Sequence, residues 1–134
     1  MISNRFLDTN ILVYAYNEGD FRSAIARQLL FEGGVINVQV LNEFASVVHD
    51  KLAFPWPQVQ EAIHDIVVLC PAPEPLSIDT HMRALGLSQK YRFSIWDGLI
   101  VAAAIEAKCS TLLTEDLQHG QIVEGLRIQN PFLQ

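Results

Sequence analysis

The sequence contains little cysteine and no long hydrophobic run. Its two cysteines, Cys70 and Cys109, lie far apart in a chain of 134 residues, which excludes a disulfide framework and a cysteine-based zinc motif. The longest apolar run, residues 99–105, has 7 residues, whereas a membrane-spanning helix needs roughly 20. Asp8 would also interrupt a secretory signal. We therefore expect a cytoplasmic protein with two reduced thiols and no membrane partner.

Basic residues are also few. The chain has 15 acidic and 9 basic side chains and a formal net charge of -6, so it lacks the strong positive charge of a typical nucleic-acid-binding domain. Half of the residues are hydrophobic and the charged ones are dispersed, which excludes a disordered chain. Overall charge alone therefore argues against an RNA or DNA partner.

The hydrophobic pattern predicts alternating strands and helices in a single domain over residues 1–134, since chains of this length rarely divide. Strands are predicted at residues 5–7, 35–37, 111–113 and 126–128, and helices at residues 21–32, 38–52, 57–68, 78–90 and 95–108. Residues 66–70 fit either a helix end or a further strand. Because helices separate the strands, we predict a three-layer α/β fold: a mostly parallel central sheet of four to five strands, flanked by helices.

Two acidic residues directly follow predicted strands. Asp8 comes after residues 5–7, and Asp116 comes shortly after residues 111–113. In parallel α/β sheets, binding sites form beyond the carboxyl ends of the strands. Both acids also have a purely structural interpretation, because Asp8 could cap a helix and Asp116 could belong to an ordinary turn.

Two further acids lie on predicted helices in apolar surroundings. Glu43 falls at the edge of the apolar stripe of helix 38–52, where a carboxylate is partly buried or reaches out to solvent. Asp97 lies in the first turn of a helix that is apolar nearly all round, where an unpaired carboxylate is costly unless it binds a metal. Ser94 could instead cap that helix and form a reciprocal capping box with Asp97. Both interpretations of Asp97 fit the sequence equally well.

Four acids in one pocket would need a cation, because neighbouring carboxylates repel one another. Clustered carboxylate oxygens suit Mg²⁺ or Mn²⁺. The sequence has no glycine-rich phosphate loop, no HExxH and no GxSxG motif, which excludes the chemistries that depend on them. A carboxylate-held ion most naturally serves phosphoryl transfer, by activating water and stabilising developing negative charge. We therefore predict a site for one or two such ions.

Four short motifs carry a resemblance to a known family. Residues 6–12 read FLDTNIL, residues 42–44 NEF, residues 96–97 WD and residues 113–116 LTED, so that successive acids are 35, 54 and 19 positions apart. In this order and at these separations, residues 5–130 resemble the PIN-domain ribonucleases. The chain is most similar to the toxin halves of VapBC toxin–antitoxin modules.

The resemblance implies roles for individual residues. The acidic quartet of the family, which holds Mg²⁺ or Mn²⁺ and activates water, corresponds to Asp8, Glu43, Asp97 and Asp116. Asn10 and Thr114 correspond to polar positions that support this quartet by hydrogen bonding. The family also implies cleavage of structured RNA such as tRNA or rRNA, a homodimer, and silencing by a cognate antitoxin protein. The expected function is a metal-dependent endoribonuclease, the toxin of a type II toxin–antitoxin pair.

Three other functions remain open on the sequence. A housekeeping PIN nuclease without a toxin role would carry the same quartet. A non-catalytic binding module would use the acids as helix caps, and Mn²⁺ would then not stabilise it. A phosphatase with Asp8 as nucleophile is disfavoured, because Asn10 stands where haloacid-dehalogenase-like enzymes carry a second aspartate.

One basic and aromatic cluster, residues 90–93, precedes Asp97. We hypothesise that Lys90 and Arg92 bind RNA phosphates and that Tyr91 stacks on a base. The alternative is a helix end whose cations complement the helix dipole, followed by a core phenylalanine.

The negative net charge argues less strongly against an RNA partner once a metal site is considered. If four of the negative charges belong to that site, the formal charge of the remainder is -2 rather than -6. Bound divalent ions would offset the four carboxylates where a phosphate approaches. A net acidic chain is therefore compatible with an RNA substrate.

Overall fold

The computed structural model of the chain describes residues 4–133, which form six helices and four strands. The helices are α1 (Thr9–Tyr16), α2 (Ser23–Glu32), α3 (Val38–Asp50), α4 (Trp56–Leu69), α5 (Ile78–Tyr91) and α6 (Ile95–Glu106). The strands are β1 (Arg5–Leu7), β2 (Thr111–Leu113), β3 (Ile122–Val123) and β4 (Leu126–Gln129). No helix within this part of the chain is long and apolar enough to cross a membrane.

The strands form one sheet in the order β1-β2-β4-β3. β1 pairs in parallel with β2, and β2 pairs in parallel with β4, so that Phe6 lies opposite Leu112 and Leu112 opposite Ile128. β3 is antiparallel to β4. The three facing side chains are fully buried, as expected for parallel strands covered on both faces. The predicted three-layer α/β domain with a mostly parallel sheet is confirmed.

The helices pack in two groups around this sheet. Helix α1 contacts α2 and α3, and α4 also contacts α2 and α3, whereas α6 contacts both α5 and β2. Residues Ile100, Val101 and Ala102 of α6 are buried, which agrees with its apolar sequence on nearly every side. Helix α6 is therefore a core element, and Asp97 in its first turn is held in a fixed position.

Several local predictions differ from the structure. Residues 35–37 form only single bridges, Val35 with Phe6 and Asn37 with Glu74, because Asn37 already caps α3 through Val40. The strand alternative for residues 66–70 is wrong, since α4 continues to Leu69.

Other elements have different bounds from those predicted. The sequence pattern predicts no element over Thr9–Tyr16, although the capping alternative for Asp8 implies that a helix starts there. The structure has helix α1 in this segment, and its buried residues are Ile11, Leu12 and Ala15. The two-residue strand β3 is also unpredicted. Helix α6 ends at Glu106 rather than at residue 108, because Lys108 takes a left-handed φ of 60°.

A glycine lets α5 and α6 approach closely beside Asp97. A Cβ atom at Gly98 would lie 2.9 Å from the carbonyl oxygen of Ala84 and would also clash with Oγ of Ser88. Gly86, on α5, has no heavy atom within 4 Å of its Cβ position. The close packing of α5 against α6 therefore requires glycine at position 98 but not at position 86.

We expect Gly98→Ala to destabilise the protein and Gly86→Ala to stabilise it. Overpacking of α5 against α6 costs about 1–3 kcal/mol in the first variant, whereas the second gains up to about 1 kcal/mol of helix propensity. Urea unfolding of both variants measures the free energies of unfolding. Equal stability of the two variants would contradict the close approach.

Candidate active site

A cavity of about 420 Å³ opens beyond the carboxyl ends of β1 and β2. Asp8, Glu43, Asp97 and Asp116 all line it. Asp8 directly follows β1, Asp116 lies three residues after β2, Glu43 is on α3, and Asp97 is in the first turn of α6. The structure thus brings together, from four separate elements, the four acids expected from the sequence.

Asp8 is the most deeply placed of these acids, with 6% of its surface exposed. Its Oδ1 accepts a hydrogen bond from the Thr9 backbone N–H at 2.7 Å, and its Oδ2 accepts one from the Thr114 hydroxyl at 2.8 Å. Asp8 is also the N-cap of α1. The capping interpretation of Asp8 is therefore confirmed, and its role in the site stays a prediction that is compatible with the cap.

The Asp8 carboxyl group has an unusual pKa. Burial raises this pKa from 3.8 to about 7, and the charges of Asp116 and Glu43 add to the increase. The hydrogen bonds from Thr114 and Thr9 oppose it. Since two other acids act on Asp8 through space, the three carboxylates occupy one electrostatic environment.

Glu43 is held at the edge of the apolar face of α3, as the sequence predicts. Phe44 beside it is fully buried, and Glu43 itself is partly buried. The Thr9 hydroxyl donates a hydrogen bond to Glu43 Oε1 at 2.9 Å. Thr9 thus links the start of α1 to α3, a role for which the sequence offered no signal beyond its position next to Asp8.

Asp97 lies at the capped N-terminus of α6. Its backbone N–H donates to Ser94 Oγ at 3.1 Å, which confirms Ser94 as the N-cap. Burial raises the pKa of the Asp97 carboxyl group, and the charge of Asp116 contributes. A side-chain hydrogen bond with Ser94 opposes this increase in the pKa, and the Asp97 residue also lines the cavity.

Asn10 and Thr114 connect Asp116 to Asp8. The Asn10 amide Nδ2 donates to Asp116 Oδ2 at 3.1 Å and to Thr114 Oγ1 at 3.3 Å. The Asp116 backbone N–H donates to the same Thr114 oxygen at 3.1 Å. Thr114 is fully buried. Asn10 and Thr114 thus form hydrogen bonds with two of the acids, and their supporting role in a site stays a prediction.

The donor atoms suit a divalent cation. In this conformation, no three His, Cys, Asp or Glu side chains within residues 4–133 are grouped so that they could hold a metal ion. The cavity nonetheless offers carboxylate oxygens together with the Asn10 Oδ1 atom, which is buried without a hydrogen-bond partner. An orphaned buried acceptor beside mutually repelling carboxylates is satisfied by an oxygen-preferring ion such as Mg²⁺ or Mn²⁺.

The family follows from a match over most of the chain. The PIN domain family model matches residues 5–124. The chain belongs to the PIN domain family. The matched region contains all four acids and both supporting residues. No curated protein sequence matches the chain significantly.

Solved structures share the fold of this PIN domain. A toxin–antitoxin complex from Klebsiella pneumoniae is similar at 20% identity and a TM-score of 0.72, over 96% of this chain and 98% of that chain. VapBC2 from Rickettsia felis, bound to a DNA fragment from its promoter, is 22% identical with a TM-score of 0.69, over 94% and 97% of the two chains.

A third neighbour is a toxin that cleaves the sarcin-ricin loop. VapC20 from Mycobacterium tuberculosis is 17% identical, with a TM-score of 0.64 over 81% of this chain and 86% of that chain. At these identities the likeness establishes a shared fold.

An ionic cluster holds the segment that carries Asp116. The Arg22 guanidinium donates to both Glu115 oxygens at 3.1 and 3.0 Å and to Asp20, and it lies 3.8 Å from the centre of the Tyr14 ring. The Tyr14 hydroxyl donates to the same glutamate. Since Glu115 precedes Asp116, the cluster fixes this turn of the PIN domain. Sequence reasoning missed it, because Arg22 and Glu115 are 93 residues apart.

Removing Arg22 should loosen this turn. We expect Arg22→Ala to lower the free energy of unfolding by about 1.5–3 kcal/mol, because partly buried Glu115 loses its charged partner. Arg27→Ala is the control, since Arg27 is exposed and lies on α2, the helix that begins directly after Arg22. Thermal unfolding of both variants measures the difference, and an equal loss in the two would contradict the role given to the cluster.

The structure places Lys90 and Arg92 at the end of α5, outside the lining of the cavity. Lys90 Nζ forms an ion pair with Glu124 Oε2 at 3.3 Å, and the Tyr91 hydroxyl donates to the same oxygen at 2.6 Å. Arg92 is exposed and ends the helix in a left-handed conformation. Binding of RNA by these two cations stays a hypothesis.

Proposed function

We propose that this PIN domain is a metal-dependent endoribonuclease whose site consists of Asp8, Glu43, Asp97 and Asp116. The observation that carries the proposal is the meeting of these four acids in one cavity, with Asn10 and Thr114 bonded to two of them. Burial raises the pKa values of Asp8 and Asp97, and the charges of neighbouring acids add to the increase, so the arrangement is unfavourable for a purely structural role. A single nuclease domain over residues 1–134 is part of the same proposal.

The four carboxylates would hold Mg²⁺ or Mn²⁺, with Asn10 Oδ1 as a further oxygen donor. When bound, the ion supplies an activated water and stabilises negative charge on the phosphodiester. The residues of the chain do the positioning. Thr114 orients the buried Asp8 carboxylate, Thr9 orients Glu43, and Asn10 restrains Asp116. Fixed donors of this kind lower the reorganisation that each turnover requires.

The toxin role and its partners rest on the structural neighbours. Two of them are toxin–antitoxin assemblies, and a third is named as a toxin that cleaves the sarcin-ricin loop. By this analogy the chain would cleave tRNA or rRNA, pair with an antitoxin and form a homodimer. Growth arrest on expression, with recovery when an antitoxin is co-expressed, distinguishes a toxin from a housekeeping PIN nuclease.

RNA cleavage by the purified chain tests the activity directly. We expect cleavage of a structured RNA with Mg²⁺ or Mn²⁺ and none with excess EDTA. Cleavage that persists in EDTA would contradict the metal requirement. If the chain binds Mn²⁺ but cleaves no RNA, the protein is a metal-binding module and not an enzyme.

A further inference from the structure

An exposed tryptophan borders the acidic cavity. Trp96 directly precedes Asp97, lines the cavity and has 58% of its surface exposed. Among residues 4–133 its ring forms no aromatic pair, whereas Trp56, with 60% exposure, stacks on His49 at 3.6 Å between ring centres. A large ring held at the mouth of a cavity with a free face is a surface on which another flat group can stack.

The lining of the cavity is partly apolar. Val13, Val47 and Ile100 belong to it together with the indole ring of Trp96, and Ile100 lies one helical turn after Trp96 on α6. Metal ions and phosphate groups need only the polar part of the lining, the carboxylates and Asn10. A cavity with both acidic and apolar lining residues therefore points to a ligand that is both charged and aromatic, as a nucleotide is.

A lysine side chain lines the same cavity. Lys51, the C-cap of α3, is exposed and lies one helical turn after Val47. It forms no ion pair with another side chain in the described part of the chain, in contrast to Lys90, which is paired with Glu124. Among the lining residues it is the one cation beside four acids. Its charge is therefore available to an anionic ligand.

We propose that Trp96 and Lys51 bind the RNA strand next to the cleaved bond. The Trp96 indole stacks on an unpaired base, the apolar lining residues cover the edge of that base, and Lys51 pairs with a neighbouring phosphate. This assignment rests on the proposed ribonuclease function and adds the residues that recognise its substrate. Because a base within a duplex is already stacked on both faces, the site selects single-stranded segments and accepts every base to a similar degree.

Tryptophan fluorescence tests the stacking without relying on catalysis. The chain has two tryptophans, so Trp56→Phe leaves Trp96 as the sole emitter and Trp96→Phe leaves Trp56. Both are prepared with Glu43→Gln, to prevent cleavage, and titrated with a single-stranded oligoribonucleotide in Mg²⁺. We expect saturable quenching in the chain that retains Trp96 and none in the chain that retains Trp56. The same oligonucleotide annealed to its complement should quench far less.

Binding constants extend this test. Trp96→Ala should weaken single-strand binding by roughly 5- to 150-fold, the range that loss of one stacked base gives. Trp96→Phe should retain most of the affinity, and Trp56→Ala should change it little.

The salt dependence of binding tests the phosphate contact. Lys51→Ala should reduce the slope of log K against log salt concentration by about 0.7, the value for one phosphate contact on a single strand. Lys108→Ala, which removes an exposed lysine just beyond the C-terminal end of α6, should leave the slope unchanged.

The outcomes separate this inference from the proposed function. If the unmutated chain cleaves RNA but Trp96 is not quenched, or is quenched equally by the duplex, the stacking assignment is wrong. If Trp96 is quenched with the expected affinity but the unmutated chain never cleaves RNA, the ribonuclease proposal fails while the binding site stands. If Lys51→Ala and Lys108→Ala change the salt slope equally, the phosphate contact is wrong.

Discussion

Asp97→Asn is expected to lower RNA cleavage by more than about 100-fold while the fold remains intact. Loss even of a group that only orients a metal ligand costs roughly 10- to 100-fold, and Asp97 would be a ligand itself. The cap of α6 survives, because the hydrogen bond to Ser94 comes from the Asp97 backbone N–H. The asparagine side chain has nearly the same shape, but it lacks the negative charge that holds the ion.

Asp79→Asn is the matched control for this variant. Asp79 also lies in the first turn of a helix capped by a serine, Ser77, but it is exposed and outside the cavity. Gel assays of RNA cleavage and circular dichroism are compared for both variants, together with growth arrest on expression. Full cleavage by Asp97→Asn would remove this residue from the site. Equal losses in the two variants would indicate a general effect on α-helix stability.

Mn²⁺ should stabilise the protein strongly at neutral pH. At a concentration of 100 times its Kd, a ligand that binds only the folded state adds about 2.7 kcal/mol, which corresponds to roughly 10 °C in Tm for a domain of this size. Differential scanning calorimetry with Mn²⁺ and with EDTA measures this shift. A folded protein with no shift would be the non-catalytic module that the sequence left open.

The metal-free protein should lose stability as the pH rises from about 4 to about 7. Because burial raises the pKa of Asp8 from 3.8 to about 7, the folded state holds a proton in this interval that the unfolded state has released. Proton binding is then greater in the folded state, so unfolding becomes easier with increasing pH. Below the lower pKa both states are protonated, and above the upper one the full destabilisation is present.

The variant Asp8→Asn distinguishes the contribution of Asp8 to the pH dependence of stability from that of the other acids. The variant should flatten the decrease in stability between pH 4 and 7 and should respond much less to Mn²⁺. In the unmutated chain, Mn²⁺ should remove most of the decrease, since the ion competes with the proton for the same carboxylate. A stability profile of the metal-free chain that rises over this interval would contradict the assignment of the buried pKa.

Two of the four acids could be singled out from the sequence because they break a local pattern. Asp97 interrupts an apolar helix, and Asp8 ends a buried strand, so both stand out against a pattern set by hydrophobic residues. Their meeting at one edge of the sheet follows from the parallel topology, in which strand ends coincide. The core helices were predictable because apolar residues at helical spacing indicate which face of a helix is buried.

Other features depend on contacts that no local pattern encodes. Residues 35–37 have strand composition, but the cap at Asn37 ends the extended segment after single bridges. Arg22 resembles any surface arginine until the fold brings it to Glu115. Trp96 looks like a core residue of an apolar helix, and only its 58% exposure reveals the free face. In each case tertiary packing decides the outcome.

The pairing of β1 with β2 has a kinetic consequence. Residues Arg5 to Leu7 pair with Thr111 to Leu113, which lie more than 100 positions later in the chain, and such non-local parallel contacts form slowly. Asp8 acquires its bond from Thr114 at that same step. During synthesis, the cavity therefore cannot assemble until Asp116 has emerged from the ribosome. A nascent or truncated chain that stops before β2 would carry three of the acids but no active site.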